Sequence, residues 1–226
     1  MTKTEAGLRI TSTGIVPVIR AFTAQKALMA VDALYKGGIS VAEITLTVPG
    51  AEKVIESLRK NFGAELLVGA GTVVDVDGAH RCLDAGAQFI ISPGFDPATV
   101  EFVKSQKTIM IAAALTPTEI MAAWKSGADL IKVFPCSAVG GPTYIKSLKG
   151  PFPDIPLLPT GGVNLQTAAD FIRAGSAALG IGSELVSASA LDSGKPHVIT
   201  QLAMQFLEVV REARGLKSTA SAAIGG

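Results

Sequence analysis

The sequence predicts an α/β fold closed into a single-domain (β/α)8 barrel, a TIM barrel with a short N-terminal helix, on three observations. Short apolar, β-branched runs alternate with longer helix-spaced segments along all 226 residues, the pattern of parallel strands joined by helices. The runs are apolar on both faces, as strands are when helices cover one side and a packed core fills the other. A glycine mark closes several helix-like segments just before a strand, at Lys36-Gly37-Gly38, Ala85-Gly86-Ala87, Ser126-Gly127-Ala128 and Ala174-Gly175-Ser176. Gly is the favoured residue of a left-handed helix C-cap, so these marks count out a βα rhythm. An open doubly wound sheet is the alternative. No G-x-G-x-x-G turn follows the first strand, which favours closure.

In chain order, Glu5–Thr11 is expected as a short extra helix packed under the barrel. The strands expected from β-branched apolar runs are Ile15–Ile19, Val41–Leu46, Leu66–Ala70, Phe89–Ile91, Ile109–Ala113, Leu130–Phe134, Pro156–Pro159 and Ala178–Ile181. Helical spacing falls between them at Ala24–Leu34, Ala51–Arg59, Pro97–Lys104, Pro117–Lys125 and Leu165–Ala174, with Pro196–Arg214 as the last helix. The barrel therefore spans residues 1–214, and 215–226, small and rich in Gly, Ala and Ser from Ser218 on, is expected as a disordered tail or leftover segment.

Composition narrows the function. With 48% hydrophobic and 17% charged residues, long disordered regions are not expected. The net charge of +1 comes without a basic run, so no nucleic-acid surface is predicted, and any pull on an anionic ligand must be local. Cys82 and Cys136 lack C-x-x-C spacing and read as reduced thiols of a cytoplasmic protein. His80 and His197 lie far apart and outside any H-x-x-x-H pattern, so no metal site is predicted. No apolar stretch reaches membrane-spanning length unbroken, so no membrane partner is expected.

Functional residues of such a barrel sit at the C-terminal ends of its strands, where the βα loops form the active face. In the sixth strand Lys132 interrupts the apolar run Leu130-Ile131-Lys132-Val133-Phe134. Desolvation favours a neutral amine there, and a neutral lysine is suited to attack a carbonyl and form a Schiff base. A lysine snorkelling from a strand end, or one paired with a carboxylate, is the competing structural reading. In the second strand Glu43 breaks a similar run, and the two-residue period puts Glu43, Thr45 and Thr47 on one face. A carboxylate near Lys132 could shuttle protons; an ion pair with Lys132 or Arg20 is the bland alternative. Two glycine turns, Pro159-Thr160-Gly161-Gly162-Val163 and Gly180-Ile181-Gly182-Ser183, follow the seventh and eighth strands. That is where such barrels often bind phosphate on free backbone N–H groups, which glycine lets a phosphate approach.

Taken together, Gly14-Ile15-Val16-Pro17-Val18-Ile19-Arg20, Ala42-Glu43-Ile44-Thr45, Val68-Gly69-Ala70-Gly71-Thr72, Ile91-Ser92-Pro93-Gly94, Ile131-Lys132-Val133-Phe134-Pro135 and Pro159-Thr160-Gly161-Gly162 resemble the 2-dehydro-3-deoxy-6-phosphogluconate / 4-hydroxy-2-oxoglutarate aldolase family, in family order. The resemblance implies a class I, metal-free and cofactor-free aldolase, usually a homotrimer, acting on a phosphorylated 2-keto acid and releasing pyruvate. It implies Lys132 as the imine-forming lysine and Glu43 as the general acid/base. Thr72, Pro93 and Phe134 fall on the pyruvate pocket, and Thr160, Gly161, Gly162, Gly182 and Ser183 on the phosphate end. Two departures stand out. Several members carry Arg, gripping the substrate carboxylate, at the position of Thr47; here Arg20 is the nearest cationic candidate for that contact, with a salt bridge to Glu43 as its structural alternative. Many members have Pro-Gly where this chain has Ala112-Ala113. Within the class, 2-dehydro-3-deoxy-6-phosphogalactonate or 4-hydroxy-2-oxoglutarate stays open as the substrate. Beyond it, a non-aldolase phosphosugar barrel and an inactive trimeric scaffold stay open.

Overall fold

Eight strands, β1 (Ile15–Ile19), β2 (Val41–Thr45), β3 (Leu67–Gly71), β4 (Phe89–Ile91), β5 (Ile109–Ala114), β6 (Leu130–Val133), β7 (Leu157–Pro159) and β8 (Leu179–Ile181), form one sheet in the computed structural model of the chain, which describes residues 1–216. From residue 217 on, the expected tail lies outside the described residues. The strands pair in parallel in the order β7-β6-β5-β4-β3-β2-β1-β8. The two ends of that order meet: Thr160 bridges Gly180, and the Ala177 N–H donates to the Leu157 carbonyl at 2.9 Å. The sheet is a (β/α)8 barrel, as predicted.

The helices are α1 (Lys3–Thr13), α2 (Ala24–Lys36), α3 (Ala51–Phe62), α4 (Val76–Asp84), α5 (Pro97–Ser105), α6 (Pro117–Ser126), α7 (Pro142–Lys149), α8 (Ala168–Arg173), α9 (Ala188–Asp192) and α10 (His197–Ala213), with a 3-10 turn at Cys136–Val139. Side-chain caps start many of them by satisfying N–H groups that a helix leaves open. Thr2 with Glu5 and Thr116 with Glu119 form capping boxes, and Asp75 accepts from the Gly78 N–H at 2.7 Å. The marking glycines Gly38, Gly86, Gly127 and Gly175 take φ of 93°, 92°, 99° and 101°, the left-handed backbone expected of them. Helices α4, α7 and α9 were not expected from the sequence.

The core has two layers. Outward-facing strand residues such as Ile15, Ile44, Val68 and Ile131 pack against the helices. Inward-facing Val16, Val41, Leu67, Phe89, Ile109, Leu130, Leu158 and Ala178 form a second cluster with Ala6 and Ile10 of α1, which plugs the N-terminal end of the barrel. Ile10 is fully buried, worth about 1.5–3 kcal/mol by transfer. Inward positions recur every second residue, so the same parity carried toward the C-terminal ends reaches Glu43, Gly69, Gly71, Lys132, Phe134, Thr160, Gly180 and Gly182. The bottom is thereby closed with hydrocarbon, and the inward glycines and polar residues lie near the top.

Candidate active site

Lys132 and Glu43 meet across the barrel interior. Lys132 Nζ lies 3.7 Å from Glu43 Oε1, with the residues 3% and 1% exposed. That separation makes an ion-pair contact but is too long for a hydrogen bond, and Glu43 Oε1 has no hydrogen-bond partner among the described residues. Burial holds the Glu43 carboxyl above its ordinary value of 4.5, with the charges of Lys132 and Arg20 pulling the other way. The neighbouring strands make room for the carboxylate. A Cβ on Gly71 would stand 1.9 Å from Glu43 Oε1, so only glycine fits at that inward position of β3. On the other flank Ala113 is the register partner of Lys132, while Ala112 packs outward against the helices. The Phe134 ring centroid is 5.4 Å from Lys132 Nζ, within range of a cation–π contact.

Phe134 also belongs to the wall of a cavity of about 350 Å³, whose lining includes neither Lys132 nor Glu43. The turns after β7 and β8 build most of that wall, with Thr160, Gly161, Gly162, Gly182 and Ser183, and Arg20 completes it from the end of β1. Gly161 and Gly162 hold φ of 96° and 76°, a course that an L side chain resists. Thr160 is buried and its Oγ1 has no partner among the described residues; a Cβ on Gly180 would come within 2.0 Å of that oxygen. The ion pair of Glu43 is with Lys132, and Arg20 reaches it only as a more distant charge, so the structural alternative for Arg20 is not what the fold builds.

The remaining candidates stand apart from the cavity wall. Thr72 is half-buried, directly after Gly71, and takes φ 59°. For a β-branched residue this left-handed backbone costs about 1–3 kcal/mol and persists only where the surroundings impose it. Pro93 and Thr47 are exposed. Thr47 lies in the turn after β2, with its hydroxyl 2.7 Å from that of Thr45. The wall also includes Val18, Asn164 and Glu184, which sequence reasoning passed over. Val18 and Gly71 follow from inward parity; Asn164 and Glu184 had only their adjacency to the glycine turns as a signal. Among the described residues, no group of three or more His, Cys, Asp or Glu is placed to hold a metal ion, and no helix is long and apolar enough to cross a membrane.

A carbonyl compound with an anionic end fits this arrangement: a buried amine and carboxylate, linked through Phe134 to a cavity walled by glycine turns and one guanidinium. Comparison with known proteins agrees. A family model for aldolases, described as KDPG and KHG aldolase, matches residues 7–202. The Escherichia coli K12 "KHG/KDPG aldolase" is 34% identical over 206 residues, covering 91% of this chain and 96% of the relative. A second E. coli K12 protein, "2-dehydro-3-deoxy-6-phosphogalactonate aldolase", is 32% identical over 200 residues, covering 88% and 95%. Among solved structures, a Legionella pneumophila KDPG aldolase with pyruvate captured at low pH as a covalent carbinolamine superposes with a TM-score of 0.82 at 32% identity, covering 88% of this chain and 96% of that one.

Proposed function

The chain belongs to the KDPG and KHG aldolase family, and from that premise we propose that it is a class I aldolase cleaving 2-dehydro-3-deoxy-6-phosphogluconate to pyruvate and glyceraldehyde 3-phosphate through a lysine Schiff base. The observation that carries the reading is the buried Lys132–Glu43 pair, in contact through Phe134 with a cavity walled by glycine turns and Arg20. The Lys132 amine, once deprotonated, attacks the C2 ketone, and loss of water leaves a protonated imine. That cation accepts the electron pair of the C3–C4 bond as it breaks. Glu43, directly or through a water, takes the C4 hydroxyl proton, and the aldehyde leaves. The resulting enamine is protonated at C3 by Glu43, and water releases pyruvate and the free amine. The covalent pyruvate adduct captured in the Legionella relative supports this course. Phe134 would bound the pyruvate end, where the family resemblance alone also assigns Thr72 and Pro93, and Thr160, Gly161, Gly162, Gly182 and Ser183 would hold the phosphate on backbone N–H groups. Arg20 supplies the wall's positive charge, in place of the arginine that Thr47 lacks.

A second reading keeps the chemistry and changes the substrate to 2-dehydro-3-deoxy-6-phosphogalactonate or 4-hydroxy-2-oxoglutarate. The similarity to the E. coli galactonate enzyme favours the first of these and the KHG/KDPG name of the other relative the second. The same family reading carries a homotrimer, testable by sedimentation against the 23.2 kDa chain mass. Offering each of the three substrates separately and measuring pyruvate release tests the proposal. The highest kcat/KM is expected on the gluconate phosphate, with equal amounts of glyceraldehyde 3-phosphate. A higher value on either competitor would reassign the substrate, and no pyruvate from any of them would end the aldolase reading.

A further inference from the structure

Resting on the reading of Arg20 as the grip on an anionic end of the substrate, we propose that Thr45 is a positioning residue that pins the end of β1 from which Arg20 reaches the cavity. Thr45 is completely buried at the last position of β2. Its Oγ1 lies 2.9 Å from the Ile19 carbonyl oxygen and 2.7 Å from Thr47 Oγ1. A carbonyl oxygen can only accept, so the single proton of the Thr45 hydroxyl goes to Ile19. The second contact is then a hydrogen bond only if Thr47 donates to Thr45. Proton direction along the chain is thereby set: Thr47 to Thr45 to the Ile19 carbonyl.

Two consequences follow. Thr47 spends its one proton on Thr45, so its hydroxyl presents lone pairs alone and is the wrong partner for a carboxylate or phosphate. The anion grip on this side of the barrel therefore falls to Arg20, the residue after Ile19, which lines the cavity. The ladder between these strands pairs Val18 with Glu43 and Ile19 with Ile44, and the Thr45 hydroxyl adds a side-chain bond to the Ile19 carbonyl, the last before Arg20. A side-chain bond in a fully buried place is costly to leave half-made, which is why it can set a backbone position.

The test is steady-state kinetics of the full-length protein on 2-dehydro-3-deoxy-6-phosphogluconate. Thr45→Val keeps the shape and strand preference while removing the hydroxyl, and should raise KM about three- to tenfold, the scale of one buried hydrogen bond, with kcat changed less than KM. Thr45→Ser, which keeps the donor, should return KM toward wild type. Arg20→Gln should raise KM more strongly, and adding Thr45→Val to it should change little further. Borohydride trapping of pyruvate, which carries a carboxylate but no phosphate, then separates the two possible anions: weakened trapping in Arg20→Gln assigns the carboxylate, and unchanged trapping the phosphate. If Arg20→Gln keeps a wild-type KM, the reading of Arg20 fails and this role of Thr45 with it. If Arg20→Gln raises KM but Thr45→Val does not, or if Thr45→Val acts equally in the Arg20→Gln background, Thr45 alone is overturned. Should the valine variant not fold, Thr45→Ala, which overpacks nothing, gives the same comparison.

Discussion

Along the floor of the barrel the inward positions are Val16, Val41, Leu67, Phe89, Ile109 and Leu130; two residues further along the same strands they become Val18, Glu43, Gly69, Ile91, Ile111 and Lys132. Both sets obey one period and both are buried, yet their chemistry diverges toward β2 and β6. On the floor every inward group is hydrocarbon, closed below by Ala6 and Ile10, and burial there is uniformly stabilising. Near the top, burial sets a carboxylate beside an amine and leaves Glu43 Oε1 and Thr160 Oγ1 without hydrogen-bond partners among the described residues. Such groups cost stability, and the fold tolerates them where a reacting molecule can complete them. The floor supplies stability that the top spends on reactivity.

That contrast can be broken from either end. The largest expected effect is on activity from Gly71→Ala. The added Cβ meets Glu43 Oε1 at 1.9 Å and must push the carboxylate away, so kcat should fall about 10²–10⁴-fold, the worth of a general acid/base, in a protein whose circular dichroism is unchanged. Next comes Phe89→Ala on the floor. It should cost about 3–5 kcal/mol in denaturant unfolding, since it empties space that Phe89 fills against Gly69, while kcat per folded molecule stays near wild type. A kcat loss matching the stability loss would erase the distinction between the two ends.

A subtler effect sharpens the contrast through pH. Burial raises the Glu43 carboxyl above 4.5, so the native state keeps this proton to a higher pH than the unfolded chain does. Between the ordinary and the raised value the native state binds more protons, and stability must fall as pH rises through that window, with the full contribution present below it. Glu43→Gln cannot titrate. Subtracting its unfolding free energy from that of the wild type, point by point from pH 4 upward, should give a difference that declines with pH; a flat or rising difference would contradict the desolvated carboxylate.

Much of this was legible in the sequence because the fold's grammar is periodic. β1 and β4 fall on their expected bounds to the residue, since β-branched runs bounded by turns leave little freedom. Lys132 and Glu43 were identifiable as the ionisable interruptions of two such runs. Short helices were harder. α4 carries Gly78 in its first turn, and α7 and α9 have eight and five residues, too few for a helical period to stand out. The left-handed Thr72 had no local signal, because a β-branched residue takes that backbone only under tertiary constraint. Whether Thr47 or Pro93 stands on the cavity wall depends on the course of its turn, which composition does not encode.

The central claim is that the buried amine beside Glu43 forms a covalent imine, and trapping tests it most directly. Incubation with pyruvate and borohydride, followed by intact-protein and peptide mass spectrometry, should add one reduced pyruvyl group on the peptide carrying Lys132, and Lys132→Ala should take up none. An unmodified wild type, or an adduct that persists in Lys132→Ala, would contradict it.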